Sequence, residues 1–143
     1  MTVIIYRFHR ARLDIELIHA YLSQRAYWAL GRPCEVVQRS IENSLCFGVY
    51  VQDQQVGFAR VVTDYATFAR LCDVFILEAH RGRGLGKRLV EAVVAHPALR
   101  GLGRLLLATR DAHALYRRHG GFEALQAPER WMERRAPAAA PAT

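Results

Sequence analysis

The chain has 143 residues, 52% of them apolar and 23% charged, which favours one domain built around a single hydrophobic core. The first apolar run, at residues 3–6, is too short for a signal peptide or a membrane span, so we expect a cytoplasmic protein without membrane contact. Three isolated cysteines and six scattered histidines lack the spacing of a zinc site, and no metal is expected. The net charge of +7 leaves three explanations open: an anionic ligand, a nucleic acid, or a solvated basic surface.

The first half of the chain predicts one strand, two helices and then three strands. Apolar residues between Leu13 and Leu22 recur at helical spacing, and Pro33 is a favoured residue in the first turn of a helix. Short connections between the later strands favour antiparallel pairing. The predicted elements are a strand over 3–8, a helix from residue 13, a helix over 33–44, and strands over 45–51, 56–63 and 71–77.

The second half of the chain alternates between helix and strand. The predicted elements are a helix over 84–96, a strand over 104–109 buried on both faces, a short helix capped by Asp111 and ended by Gly120, and one or two strands within 122–133. Residues 136–143 are rich in alanine and proline and predict a flexible tail after a single domain over 1–135. Together these elements predict a mixed α/β sheet with helices on both faces.

The turn between a predicted strand and the helix after it reads His80-Arg-Gly-Arg-Gly-Leu-Gly-Lys87. Its three glycines, at alternate positions, lack the Cβ atoms that would keep an anion away from the backbone. Free amides at the start of the helix point to the same place, and the helix dipole adds positive potential there. Full charges come from Arg81, Arg83, Lys87 and Arg88. The combination predicts a pyrophosphate site.

Two common phosphate-binding patterns do not fit this turn. A P-loop needs four residues between its first glycine and the Gly-Lys pair, whereas Gly82 and Gly86 enclose three, and Arg88 stands where a magnesium-binding serine or threonine belongs. A dinucleotide-binding GxGxxG would need its third glycine at Lys87. A glycine-rich turn without a ligand is the simpler alternative, but it gives no reason for four cations.

The remaining pattern, Arg81-x-x-Gly84-x-Gly86, resembles the acetyl-CoA signature of the GNAT N-acetyltransferase superfamily, Gln/Arg-x-x-Gly-x-Gly/Ala. Downstream, Asp111-Ala-His-Ala-Leu-Tyr-Arg-Arg-His-Gly-Gly-Phe122 is similar to a second motif of that family, a short helix that carries a tyrosine and closes with Gly-Phe. The likeness spans residues 45–122 and extends to the two helices upstream. On these motifs the chain resembles a small, single-domain, bacterial-type member of the superfamily.

The resemblance implies a fold and a cosubstrate. The fold is an α/β domain whose mixed sheet has six to seven strands, with the fourth and fifth splayed apart and about four helices on both faces. The cosubstrate is acetyl-CoA, with its pantetheine arm between the splayed strands, and the acceptor is a small-molecule or amino-acid-like amine that attacks directly. A homodimer is left open, and neither a metal nor a nucleic acid is implied. The cofactor-binding residues implied are Val74, Phe75, Ile76, Arg81, Gly82, Arg83, Gly84, Leu85, Gly86, Lys87 and Asp111.

The resemblance also implies the catalytic groups. Tyr116 occupies the family position of the acid that protonates the leaving thiolate, and its alternative role is that of a core aromatic. A backbone N–H near Phe75 would polarise the thioester carbonyl. Asp73 is the ionisable residue inside the strand over 71–77, on one pleat face with Leu71 and Phe75, so we expect either the general base or a structural carboxylate. Glu78, in the turn, is a weaker candidate base.

The sequence departs from the family pattern at two places. Asp111 stands where an asparagine is common, which puts that contact with the cofactor in question. The spacing from Tyr116 to the closing Gly-Phe has one extra residue, a glycine that a helix end can absorb.

Candidate walls of the acceptor site are aromatic residues, although aromatics more often belong to a core. They are Tyr27, Trp28, Tyr65 and Phe68. Two other functions compete with the enzyme. A non-catalytic acetyl-CoA sensor would not need Tyr116, and a nucleic-acid binder is disfavoured because the cations cluster around the glycine turn instead of forming a stripe with aromatics.

Overall fold

Four α-helices and five β-strands make up the part of the chain that the structure, a computed structural model, describes: residues 3–7 and 12–137. In chain order they are β1 (Val3–Arg7), α1 (Ile15–Gln24), α2 (Cys34–Glu42), β2 (Leu45–Val51), β3 (Gln54–Thr63), β4 (Phe68–Ile76), α3 (Leu85–Val94), β5 (Arg104–Leu106) and α4 (His113–Gly120). The elements predicted before residue 121 are present, with small shifts at their ends. Phe8 and most of the predicted tail, residues 138–143, lie outside the described residues.

The strands form one sheet in the order β1-β2-β3-β4-β5. Pairing is antiparallel from β1 to β4, and β5 runs parallel to β4 because α3 returns the chain to the same end of the sheet. The expectation of six to seven strands is wrong for the part of the chain that the structure describes. Residues 122–133 form no strand there but hold one 3-10 turn at Pro128–Arg130, since a proline cannot donate to a strand ladder and few apolar residues alternate.

Helices cover both faces of the sheet, as the apolar pattern predicts. The layer under α1 and α2 contains the buried residues Ile18, Leu22, Val37, Ile41, Phe58 and Phe75. The layer under α3 and α4 contains Phe47, Val61, Leu71, Leu85, Leu89 and Val93. Burying each large aliphatic side chain contributes about 1.5–3 kcal/mol, so the two layers fix the helices against the sheet.

Two predictions about the region after α3 are wrong. The apolar run over 104–109 predicts a strand buried on both faces, but β5 covers three residues and its leucines are half-buried, because β4 is its one strand neighbour among the described residues. Asp111 does not cap α4: Ala112 stands at the N-cap, and its N–H donates to the hydroxyl of Thr109. Residues 107–112, between β5 and α4, belong to none of the strands that the structure describes.

Candidate active site

A cleft opens where β4 and β5 separate. Their pairing runs from Phe68 opposite Arg104 to Arg70 opposite Leu106, and β4 then continues to Ile76 with no described strand on that edge. This is the splay that the resemblance predicts. The free edge presents backbone N–H and C=O groups, with which an extended ligand can pair as a further strand would.

The cleft has a volume of about 610 Å³ and collects residues from six parts of the chain. They come from β3, β4, the segment after β5, α4, the loop between α1 and α2, and the segment near the C-terminus that holds Glu133 and Arg135. Six of the polar or aromatic residues that line it are Tyr27, Trp28, Arg70, Asp73, Asp111 and Tyr116.

β4 carries a bulge in the wall of this cleft. Asp73 and Val74 lie opposite the single β3 residue Ala59, and Asp73 has a positive φ of 53°. The extra residue changes the side-chain alternation, so that Leu71 packs under α3 and α4 whereas Phe75 packs with α1 and α2. The expectation that Leu71, Asp73 and Phe75 share one face is therefore wrong.

The Asp73 carboxylate is buried, with 2% of its side chain exposed, and accepts hydrogen bonds from three side chains. Trp28 Nε1 donates to Oδ1 at 2.8 Å, while Arg32 and Arg60 donate to Oδ2 at 3.0 and 2.8 Å. Burial alone would raise the pKa of Asp73, but the charge and hydrogen bond of Arg60, the charge of Arg32 and the hydrogen bond of Trp28 lower it below its ordinary value. A carboxylate held in this way accepts a proton poorly, so the geometry favours the structural role over the general base.

Glu78, the other candidate base, is not among the residues that line the cleft. It forms an ion pair with Arg25 at the surface. Its own backbone amide and the Arg25 guanidinium lower the pKa of Glu78. Glu78 therefore fits the role of a proton acceptor no better than Asp73 does.

Tyr116 lines the cleft from α4. Its ring packs edge-on against Phe122, with 5.9 Å between ring centroids. Gly121, at φ 70°, ends the helix by donating its N–H to the Tyr116 carbonyl, so the extra glycine of the motif is absorbed at the helix end. Burial, together with the nearby Tyr27, raises the pKa of Tyr116 to about 12. The hydroxyl keeps its proton at neutral pH and can act as a donor.

α3 begins at the glycine turn without a side-chain cap. By contrast, α1 is capped by Asp14, which accepts the Leu17 N–H at 3.0 Å. Gly84 takes the equivalent place in α3, and the first turn of α3 contains no acidic residue. The amides at the start of α3 are thus open to an anion from outside the chain.

The surface over this turn is open. Gly82 and Gly84 have φ values of 79° and 76°, and a Cβ on either would meet no atom within 4 Å. A Cβ on Gly86 would lie 3.9 Å from both Ile76 of β4 and Leu115 of α4, so the turn adjoins the two elements that flank the cleft. With the exposed Arg83, Lys87 and Arg88 around it, the turn offers space and positive charge for a pyrophosphate.

Several other predicted cofactor residues have specific positions. The Arg81 side chain does not face the turn: Nε donates to the Ile76 carbonyl at 2.9 Å and Nη2 to the Tyr21 hydroxyl at 2.6 Å. Phe75, Ile76 and Leu85 bury their side chains in the core, so any contact that they make with a ligand would involve their backbone groups. Asp111 is exposed and pairs with Arg110 at 3.4 Å.

The four predicted acceptor-wall residues divide into two groups. Tyr27 and Trp28 line the cleft, where the Tyr27 hydroxyl accepts the Arg110 N–H at 2.9 Å and so bridges the α1–α2 loop to the segment before α4. Tyr65 lies exposed in the turn before β4, and Phe68 lies where β4 and β5 are still paired. Neither Tyr65 nor Phe68 therefore lines this cleft, and the geometry gives no support to a role for them in the acceptor wall.

Sequence reasoning missed the arginines of the cleft, Arg32, Arg60 and Arg70. Arg60 carried a usable signal, because it is a charged residue inside an apolar strand, as Asp73 is. In an antiparallel pair such residues can meet across the strands. Arg32 lies in a loop, and no local pattern marks it as a partner of Asp73.

Residues 3–7 and 12–137 contain no group of three or more histidine, cysteine or acidic side chains that could hold a metal ion. Within the same residues, no helix combines the length and apolar character needed to cross a bilayer.

Comparisons with known proteins agree with this geometry. The sequence model of the acetyltransferase (GNAT) family matches residues 15–122, which is most of the chain. The chain therefore belongs to the GNAT acetyltransferase family and is an acyltransferase.

Three relatives show how far the likeness extends. A crystal structure of a GNAT-family protein from Xanthomonas campestris pv. campestris is 52% identical, with a TM-score of 0.91 over 96% of this chain and 95% of that one. A Gibberella zeae protein whose name places it among the acetyltransferases is 30% identical over 79% of this chain and 75% of its own length. A histone acetyltransferase of Glycine max is 33% identical over 51% of this chain, which spans 32% of that protein.

Proposed function

We propose that the protein transfers an acetyl group from acetyl-CoA to the amine of a small-molecule or amino-acid-like acceptor. The observation that carries this proposal is that the uncapped start of α3 adjoins β4 and α4, the two elements from which Val74 and Tyr116 line the cleft. Both features lie beside the free edge of β4. Together they form a track with an anion site at one end and a proton donor along its wall.

Acetyl-CoA, when bound, supplies an acetyl group activated as a thioester. Backbone amides from Gly82 to Lys87 would hold its pyrophosphate, because the helix start has no side-chain cap. In the stretch that contains Val74, Phe75 and Ile76, the backbone groups that face the free edge of β4 would pair with the amides of its arm. Asp111 is engaged by Arg110, so we assign it no direct contact.

The bulge and Tyr116 would act on the reacting bonds. The bulge lifts Asp73 and Val74 out of regular pairing with β3, and a backbone N–H there can donate to the carbonyl oxygen as it gains negative charge. Tyr116, with a pKa of about 12, carries the proton that the departing thiolate requires. The acceptor amine loses its proton to water, since Asp73 is already engaged by three donors.

The competing function is that of an acetyl-CoA sensor without catalysis. Such a module would need the glycine turn but would have no use for a protonated tyrosine in the cleft. The Glycine max relative is named for histones, but the chain spans a third of that protein, and the acceptor is not carried over from it.

Thiol release from acetyl-CoA in the presence of a panel of amines tests the proposal. We expect release that depends on the amine and is matched by acetylated product. In the same assay Tyr116→Phe should lower kcat by roughly 10²- to 10⁴-fold, the usual contribution of general acid catalysis, while acetyl-CoA affinity is unchanged. Tyr65→Phe is the matched control, because it removes a hydroxyl from an exposed tyrosine outside the cleft.

One result would contradict the transferase function, and another would contradict only the role assigned to Tyr116. Acetyl-CoA binding without amine-dependent release would favour the sensor. Full turnover by Tyr116→Phe with intact acetyl-CoA affinity would show that Tyr116 is not the general acid. The transferase function would still stand.

A further inference from the structure

The acidic residues that line the cleft are already engaged. Asp73 accepts three hydrogen bonds, two of them from Arg32 and Arg60. The other two acids of the lining are Asp111, paired with Arg110 at 3.4 Å, and Glu133, paired with Arg135 at 3.0 Å. Each carboxylate of the lining already has a guanidinium partner, so an acceptor with a second positive charge would have to displace one.

The basic residues are in excess. One carboxylate, Asp73, is shared by the two guanidinium groups of Arg32 and Arg60. Arg70 also lines the cleft, is exposed, and takes part in none of the ion pairs among the described residues. The lining therefore carries a net positive charge with one guanidinium available for a ligand.

The position of Arg70 separates it from the pyrophosphate turn. It lies opposite Val62 of β3 and Leu106 of β5, at the last paired position before the strands part. The turn follows the opposite end of β4, after Ile76, and six residues of strand span roughly 20 Å. Arg70 is thus beyond the bulge at Asp73 and Val74, on the acceptor side of the reacting bond.

Several charges converge at this end of the cleft. Burial raises the pKa of Cys72, while the positive charges of Arg60, Arg70 and Arg32 act in the opposite direction on the same thiol. Arg70 and Arg60 are therefore near enough to Cys72 for their fields to overlap there.

We propose, on the basis of the proposed transferase function, that the acceptor is an amine that also carries a carboxylate, and that Arg70 binds this carboxylate. A guanidinium offers two parallel N–H donors to a carboxylate, which both attracts and orients it. With the carboxylate held at the closed end of the cleft, the amine of a short acceptor lies near the bulge of β4. Polyamines are disfavoured by the same charges.

The test uses matched pairs of α-amino acids and their carboxamides, with spermidine as a polycationic probe, in the thiol-release assay. We expect kcat/KM for the acid to exceed that for its carboxamide by roughly tenfold or more, as for a hydrogen-bonded charge pair. This preference would oppose intrinsic reactivity, because the amine of a carboxamide is less basic and more of it is deprotonated. Arg70→Gln should abolish the preference by lowering kcat/KM for the acid more than for the carboxamide, and should leave acetyl-CoA affinity unchanged.

Arg39→Gln is the control, since it removes one positive charge from an exposed α2 residue outside the cleft lining. Carboxamides or spermidine as the better substrates would overturn this inference alone, with the transferase function intact. An effect of Arg70→Gln confined to acetyl-CoA affinity would overturn it in favour of a cofactor contact. Failure of every amine would overturn the proposed function and this inference with it.

Discussion

Asp73 links three parts of the molecule that shape the cleft. It stands in the bulge of β4, accepts from Arg60 of β3, and accepts from Trp28 and Arg32 of the α1–α2 loop. Because the loop carries Tyr27 and Trp28 into the cleft, the carboxylate fixes these two aromatic residues relative to β4. We infer that Asp73 is a positioning residue.

Asp73→Asn should destabilise the protein at pH 7 by up to about 3–5 kcal/mol, since it leaves two guanidinium groups partly uncompensated in a buried place. The folded-state pKa of Asp73 is lowered, so its stabilisation is present above its unfolded pKa and is lost as pH falls through the folded value. The difference between wild type and variant should therefore shrink as pH falls below about 4. Denaturant unfolding at a series of pH values measures this.

Asp53→Asn provides the control for this change, because the Asp53 side chain is 89% exposed. The general-base alternative makes a different prediction. It expects Asp73→Asn to keep its stability and to lose both turnover and the acid limb of the kcat/KM profile. That outcome would contradict the positioning role.

Single residues differed in how far the sequence revealed them. Tyr116 was recognisable from the sequence as the candidate general acid because its motif is local, with the tyrosine and the closing glycines in one short helix and its C-cap. The partners of Asp73 were not predicted, because Arg60 and Arg32 reach it across a strand pair and from a loop. Contacts of that kind depend on register, which a bulge of one residue changes.

At the level of elements, α3 differs from α1 in how its first turn is satisfied. Asp14 caps α1 from within the chain, whereas α3 begins at Gly84 with no side-chain cap. Elements were predicted well where apolar periodicity was strong, as for β2, whose predicted and observed bounds agree at Leu45–Val51. The short β5 was overestimated, because an apolar run does not show where a parallel partner diverges.

Gly84→Ala tests the role of the α3 start. The residue has φ 76°, so alanine should cost about 1 kcal/mol of stability, and its methyl group would project into the open space above the turn. We expect CoA affinity, measured by calorimetry, to fall by roughly tenfold or more, because the methyl group and a shifted backbone weaken the amide contacts.

Gly101→Ala is a close control for this change. Gly101 has φ 78°, its Cβ would also meet nothing within 4 Å, and it lies outside the cleft lining. It should lose a similar amount of stability and keep its CoA affinity. Equal affinities for the two variants would show that the turn does not hold the pyrophosphate.

At the scale of the whole molecule, the two helical layers pack on opposite faces of the sheet, and the cleft opens between β4 and β5. The loop between α1 and α2 lines the cleft with Tyr27 and Trp28, α4 lines it with Tyr116, and α3 begins at the glycine turn. The fold class and the helices on both faces followed from the sequence. The number of strands did not, since residues 122–133 carry no alternation that would separate a strand from the irregular segment observed.

A structure of the protein with bound CoA tests the central claim most directly. The claim predicts the pyrophosphate against the backbone amides between Arg81 and Lys87, and the arm along the free edge of β4. It also predicts the sulfur within about 4 Å of the Tyr116 hydroxyl, the reach of a hydrogen bond that involves sulfur. A pyrophosphate bound away from the α3 start, or a sulfur directed away from Tyr116, would contradict it.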